Sequence, residues 1–167
     1  MTIPTSGGLD LARIKFELAM DGLNPPANDI NNGWFRLLAN RQGDRQPIDF
    51  GAFRGRGCRF DGYAGVYDPT GGGGEMWQFD PRMPFFNATL ASVQMVFQRQ
   101  ARRYDALIEM WGDPGSRVPI FVQNGTTGIA YRFTYSGDGT YYYMNNIDAN
   151  FMRYGSGDWF MIVPDMR

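Results

Sequence analysis

Catalysis near neutral pH most often runs on histidine, and this 167-residue chain has none. Ser-His-Asp triads, Cys-His dyads and histidine-containing zinc sites are therefore excluded. The single cysteine, Cys58, can form neither an internal disulfide nor a CxxC site; it reads as a buried spectator thiol and leaves the redox compartment unmarked. Fourteen aspartates beside three glutamates supply carboxylate pairs for glycoside hydrolysis, Asp105 with Glu109 or Glu75 with Asp80. However, Asp21-Gly22, Asp61-Gly62, Asp68-Pro69, Asp113-Pro114 and Asp138-Gly139 are turn dipeptides first, in which the carboxylate folds back on its own backbone. The run Gly71 to Gly74 lacks the Lys-Ser/Thr and the helix start of a phosphate cradle, which leaves a flexible loop. No EF-hand spacing is present for calcium. These residues predict a protein that is not an enzyme and carries no metal or cofactor.

Binding chemistry is better represented. Sixteen basic against seventeen acidic side chains give a net charge of −1 without a long block of either sign, so no nucleic-acid partner is expected. Arg99, Arg102 and Arg103, beside Tyr104, read as a solvated or subunit-contacting cluster. The aromatic hairpin is more informative: Tyr131, Phe133 and Tyr135 precede Tyr141, Tyr142 and Tyr143. Side chains alternate across a strand, so Tyr141 and Tyr143 must face opposite to Tyr142. One face is then core, and the other is covered or displayed; displayed tyrosines serve subunit interfaces and sugar-stacking platforms. Trp77 and Trp159 are further candidates for sugar contact.

The elements that hold these residues follow from composition and period. Twenty-two glycines, ten prolines and 16% aromatic residues favour strands and turns over a helical bundle. No eighteen apolar residues run together and the first eight residues lack signal-peptide character, so neither membrane insertion nor Sec export is expected. Near the start, Leu11, Ile14 and Leu18 recur at helical spacing, with Asp10 placed to cap and Gly22 with Pro25-Pro26 placed to stop the helix. Asn31 or Asn32 can cap a second short helix whose apolar side is Phe35, Leu38 and Trp34. The segment from Pro47 to Gly55 repeats the first pattern, with Asp49 followed by Phe50 and Phe53, so the two copies are expected to pack on the helix between them.

Taken together, the opening Thr-Ile-Pro-Thr-Ser-Gly, the capped Leu9–Leu18 helix, Ile30-Asn31-Asn32 with Phe35-Arg36 and Leu38-Ala39, and the closing Pro47-Ile48-Asp49-Phe50 with Phe53-Arg54-Gly55 resemble an N-terminal module of tailed-bacteriophage tail, tail-fibre and baseplate proteins. The resemblance covers about a third of the chain, with Asp10 and Asp49 where copies of that pattern have serine, and Asn40 where they have glycine. It implies a virion structural protein, assembled in the host cytoplasm onto other virion proteins and copies of itself. In that picture Leu11, Ile14, Leu18, Phe35, Leu38, Ile48, Phe50 and Phe53 form an apolar seam. About fifty residues bury such a seam poorly, so a neighbouring virion protein is expected to complete it. The alternatives are a carbohydrate-binding module for host-surface glycans, a capsid decoration protein and, more remotely, a glycan hydrolase.

From Cys58 onward the period is two. Leu90–Phe97 alternates most clearly, and Tyr104–Trp111, Val118–Gln123, Ile129–Tyr135, Thr140–Met144 and Trp159–Val163 are further strands. A helix over Ser92–Asp105 competes, since Gln98 to Arg102 are good helix formers. The Ser136–Gly139 turn gives the strongest hairpin signal. The expected fold is mainly β, with a small helical docking module over residues 1–56 and an antiparallel β-sandwich or jelly-roll-like domain over 57–167.

Overall fold

The computed structural model describes residues 2–167 apart from 44, 46, 72, 138 and 139. Three short turns of helix come first, each begun by a side-chain cap. Helix α1 (Leu11–Glu17) starts where the Asp10 carboxylate accepts the Arg13 N–H at 2.8 Å. In α2 (Gly33–Leu38) the Asn32 side chain accepts from Trp34 N–H, and in a single 3-10 turn (Phe50–Phe53) Asp49 accepts from Ala52 N–H. Each side-chain oxygen satisfies a backbone donor that the first turn leaves open.

The helices end by one device. Ala19 and Asn40 adopt left-handed φ of 54° and 56°, while Met20 N–H returns to Lys15 C=O and Arg41 N–H to Arg36 C=O. Asparagine thus fills the expected glycine-like role at position 40. At α1 the chain turns at Ala19, ahead of Gly22, because Leu18, Ala19 and Met20 are all drawn into the core. The repeat is visible in three dimensions. In both copies the residue just after the aspartate is peripheral (Leu11, Phe50) and the residue three further on is fully buried (Ile14, Phe53). Phe53 meets Phe35 of α2 edge-on, with ring centroids 6.3 Å apart.

Nine antiparallel strands follow among the described residues: β1 (Phe60–Gly65), β2 (Met76–Phe79), β3 (Met83–Phe85), β4 (Ala88–Gln98), β5 (Arg103–Trp111), β6 (Ile120–Asn124), β7 (Ala130–Tyr135), β8 (Tyr141–Ile147) and β9 (Gly157–Pro164). Their order is β1-β9-β6-β7-β8-β5-β4-β2, with β3 also on β4. The mainly β, antiparallel architecture agrees with the sequence; its two layers are joined into one nearly closed, barrel-like sheet. One join is narrow, with only Thr134–Tyr143 and Tyr135–Tyr142 pairing β7 with β8. The other is a bridge from Tyr67, just past the end of β1, to Gln78 of β2, which exchange both backbone hydrogen bonds at 2.8 and 2.9 Å. Joining edges in this way removes the unpaired donors that invite aggregation.

The competing helix over 92–105 does not form: β4 and β5 are a long hairpin through that region. Packing decides against local helix propensity, because Val93, Met95, Ala106 and Ile108 all reach the barrel interior. A bulge at Ala91 shifts the parity of β4, so that Leu90 and Val93, three apart, both point inward. Strands β1 to β3 have no counterpart among the expected strands, and the Ser136–Gly139 turn falls partly outside the described residues. Inside, Phe79 of β2 stacks on Phe160 of β9 at 4.3 Å, linking two strands that are not sheet neighbours.

Candidate functional site

The apolar seam of the first 56 residues is covered by the chain itself. Ile14, Leu18, Phe35, Leu38 and Phe53 are fully buried and Ile48 nearly so, in one continuous core that also holds Phe79, Leu90, Ile108 and Phe160. This corrects the expectation of an incomplete surface awaiting another protein. Fifty residues do need help to bury that much apolar side chain, but the barrel supplies it. Leu37 belongs with the seam residues, and only Leu11, half-buried, and Phe50, 42% exposed, remain at its rim.

Polar contacts fasten the two regions. Buried Asn24 donates to Leu18 C=O and Pro164 C=O and accepts from Met166 N–H. The Arg59 guanidinium lies 3.7 Å over the Phe16 ring and bonds Phe16 C=O, Asp21 and Asp61. The Cys58 thiol is fully buried and donates to Glu17 C=O at 2.9 Å; burial raises its pKa well above the ordinary value. Burial also pushes the Glu17 carboxyl up to about 7, and its Oε1 has no hydrogen-bond partner among the described residues.

The three tyrosines divide as alternation requires. Tyr142 points inward, 1% exposed, and donates its hydroxyl to Ser116 C=O at 2.8 Å; burial raises its pKa to about 12. Tyr141 and Tyr143 stand on the outer face, 39% and 41% exposed. Strand register shows what lies beside them. One row runs Thr134, Tyr143, Leu107, Gln94, Gln78 and Tyr67 across five strands and the closing bridge; the next places Tyr141, Glu109 and Ser92 side by side. Ser92 Oγ donates to Glu109 and Gln94 Nε2 donates to Ser92, while Gln78 and Tyr67 both donate to Asp80. Trp111, 56% exposed, continues the outer side of β5 beyond Glu109. The result is a broad sheet face with displayed aromatic rings and two hydrogen-bonded polar groups, Glu109 with Gln94 around the buried Ser92, and Tyr67 with Gln78 and Asp80.

The other sequence candidates are dispersed. Trp77 is half-buried edge-on to Tyr104, and Trp159 is half-buried on the outer face, so close over Gly125 that a Cβ there would come within 2.4 Å of its ring. Asp105 and Glu109 lie four residues apart along β5, about 13 Å at strand rise, wider than the roughly 5–9.5 Å of glycosidase carboxyl pairs. Asp105 accepts from Arg103 and Asn146 N–H, Glu75 pairs with Arg99, and Asp80 takes Tyr67, Gln78 and Arg82. The arginine cluster is the β4–β5 hairpin tip, with Arg99 and Arg103 each paired to a carboxylate. Asp68 closes the loop ahead of the glycine run by accepting from Thr70 N–H and Gly74 N–H; Gly72 lies outside the described residues, as does Asp138-Gly139. Among the described residues no three acidic or thiol side chains converge as a metal site, and no helix is long and apolar enough to cross a membrane.

Sequence reasoning missed the partners of the outer face, Gln78, Gln94, Ser92 and Trp111. Their signal was present in the alternation of β4 and β5, where Gln94 falls opposite Met95 and Leu107, Glu109 and Trp111 share one side. Comparison of the chain with protein families, with curated proteins and with solved structures finds no match.

Proposed function

We propose that this chain is a structural component of a tailed-bacteriophage virion, in the tail tip, baseplate or fibre-attachment region, and that it works by assembly with copies of itself and other virion proteins. The observation that carries the assembly reading is the outer face of β8 and β5, where Tyr141, Tyr143 and Trp111 expose large rings beside a polar network. Aromatic residues displayed in this way are what protein interfaces are enriched in, since they bury much area at little entropic cost. Support for the virion setting comes from residues 2–56, whose sequence pattern resembles the tail-protein module. The role of that segment changes: its seam serves the barrel, so attachment falls to the aromatic face.

The test is incorporation. The Tyr141→Ala/Tyr143→Ala double variant is expected to fold like the parent by circular dichroism and to be missing from purified particles by quantitative mass spectrometry. Absence of the parent chain from particles, or normal incorporation of the variant, overturns the proposal. A second reading is favoured by the hydrogen-bonded Glu109, Ser92 and Gln94 in the rows of Tyr141 and Tyr143, because polar groups next to exposed rings suit a sugar. Glycan-array binding that is lost in Tyr143→Ala with folding retained would select it.

A further inference from the structure

A cleft of about 720 Å³ lies where α2 approaches the start of β6 and the end of the chain, and its lining includes none of the displayed tyrosines. Its volume falls in the range of ligand sites, roughly 300–1,000 Å³. Trp34, Leu37, Val118, Pro119 and Met166 give it apolar surface, and Arg117, Arg132 and Arg167 line it with three guanidiniums. Among the described residues Asp165 is the only carboxylate in that lining, and it is 1% exposed.

The arginines are held in place. Arg167 engages both oxygens of Asp165, at 2.7 and 2.8 Å, and that pairing keeps the carboxyl down at about 2 and so ionised throughout the useful pH range. Arg132 donates to the same carboxylate through Nε at 3.0 Å, and among the described residues its terminal nitrogens have no protein partner, with 48% of the side chain exposed. A guanidinium anchored through Nε presents its outer edge already oriented, with little rotamer entropy left to lose. Arg117 is similarly fixed, forked onto Asp113 and 4.4 Å over the Tyr135 ring.

We infer that this cleft binds an acidic peptide segment of a partner protein, in which carboxylates meet Arg132 and its neighbours while an adjacent aliphatic side chain enters the apolar floor. Charge complementarity favours it: among the described residues Arg117, Arg132 and Arg167 are held by two carboxylates, Asp113 and Asp165, which leaves one guanidinium charge in excess at the cleft, and the Arg132 side chain stays 48% exposed. A bare oxyanion would leave the apolar floor unused, and a chain of net charge −1 offers a nucleic acid no overall attraction. The inference stands apart from the aromatic face and from the virion setting, since it is read on the isolated chain.

The experiment follows amide and indole NMR signals of the full chain, with Trp34 assigned through W34F, during titration with a blocked hexapeptide alternating Glu and Leu. The expected result is saturable shifts at Trp34 and at residues 116–118, weakened at least tenfold by Arg132→Gln and by raised salt. Arg82→Gln, which removes an exposed arginine elsewhere, is expected to leave the affinity unchanged. Equal binding of the matching Gln/Leu peptide overturns the inference, as does unchanged affinity in R132Q or the absence of shifts up to about 5 mM, near the weakest useful affinity. Saturation of the cleft by an oligogalacturonate, with none by the peptide, replaces the peptide with an acidic saccharide. Loss of particle incorporation in the tyrosine double variant leaves this result untouched, so the two proposals fail separately.

Discussion

The first 56 residues and the β8–β5 face both carry apolar side chains in surplus, yet the fold treats them oppositely. Phe35, Leu38 and Phe53 sit on short turns that cannot shield them, and the barrel closes over them. Tyr141, Tyr143 and Trp111 sit on a sheet whose other side is already full of Ile108, Met110 and Tyr142, so they stay outside. A greasy local sequence therefore does not identify a binding surface. What identifies it is whether the remainder of the chain has somewhere to put those groups.

The largest effects should come from breaking the covered region. Deleting residues 2–56 uncovers the core and is expected to give an aggregating chain without a cooperative transition, measured by light scattering and thermal unfolding; a soluble barrel would mean the seam is dispensable. Phe53→Ala leaves a void beside Phe35 and should cost about 3–5 kcal/mol in denaturant unfolding. Next in size is Glu17. Its folded pKa of about 7 exceeds the ordinary 4.5, so the folded state keeps a proton that the unfolded chain releases. Stability accordingly falls as pH rises from about 4.5 to 7 and levels off above. Glu17→Gln should therefore stabilise by roughly 3 kcal/mol at pH 8 and hardly at all at pH 4. Removing a cap, Asp10→Ala or Asp49→Ala, should cost about 1 kcal/mol each. Smallest on stability is Tyr143→Ala, within about 0.5 kcal/mol, although it is expected to weaken assembly.

Those same residues mark how far the sequence can be read. Caps at Asp10, Asn32 and Asp49 were legible because capping is a contact between near neighbours in the chain. Strands β4 to β9 were legible because alternation runs on long enough to register, with Gly and Pro between. Phe60–Gly65 contains two glycines and alternates poorly, Met76–Phe79 is too short to show a period, and Met83–Phe85 carries Pro84 at its centre; only tertiary pairing makes them strands. The turn at Ala19 has no local signal, since alanine rarely takes that conformation and does so here to bury its neighbours. The outward set of Tyr141 and Tyr143 followed from alternation alone, but which element covers Phe35 depends on contacts between residues far apart. The cleft was invisible for the same reason, with Arg132 and Asp165 separated by 33 positions.

Cys58 gives the molecule a built-in clock. Its sulfur is sealed beneath the end of α1 by the bond to Glu17 C=O, and the sequence holds no other thiol to confuse the signal. A small alkylating reagent can reach it only when the opening turns lift from the barrel, so the rate of mass gain in the unmodified protein counts those excursions directly.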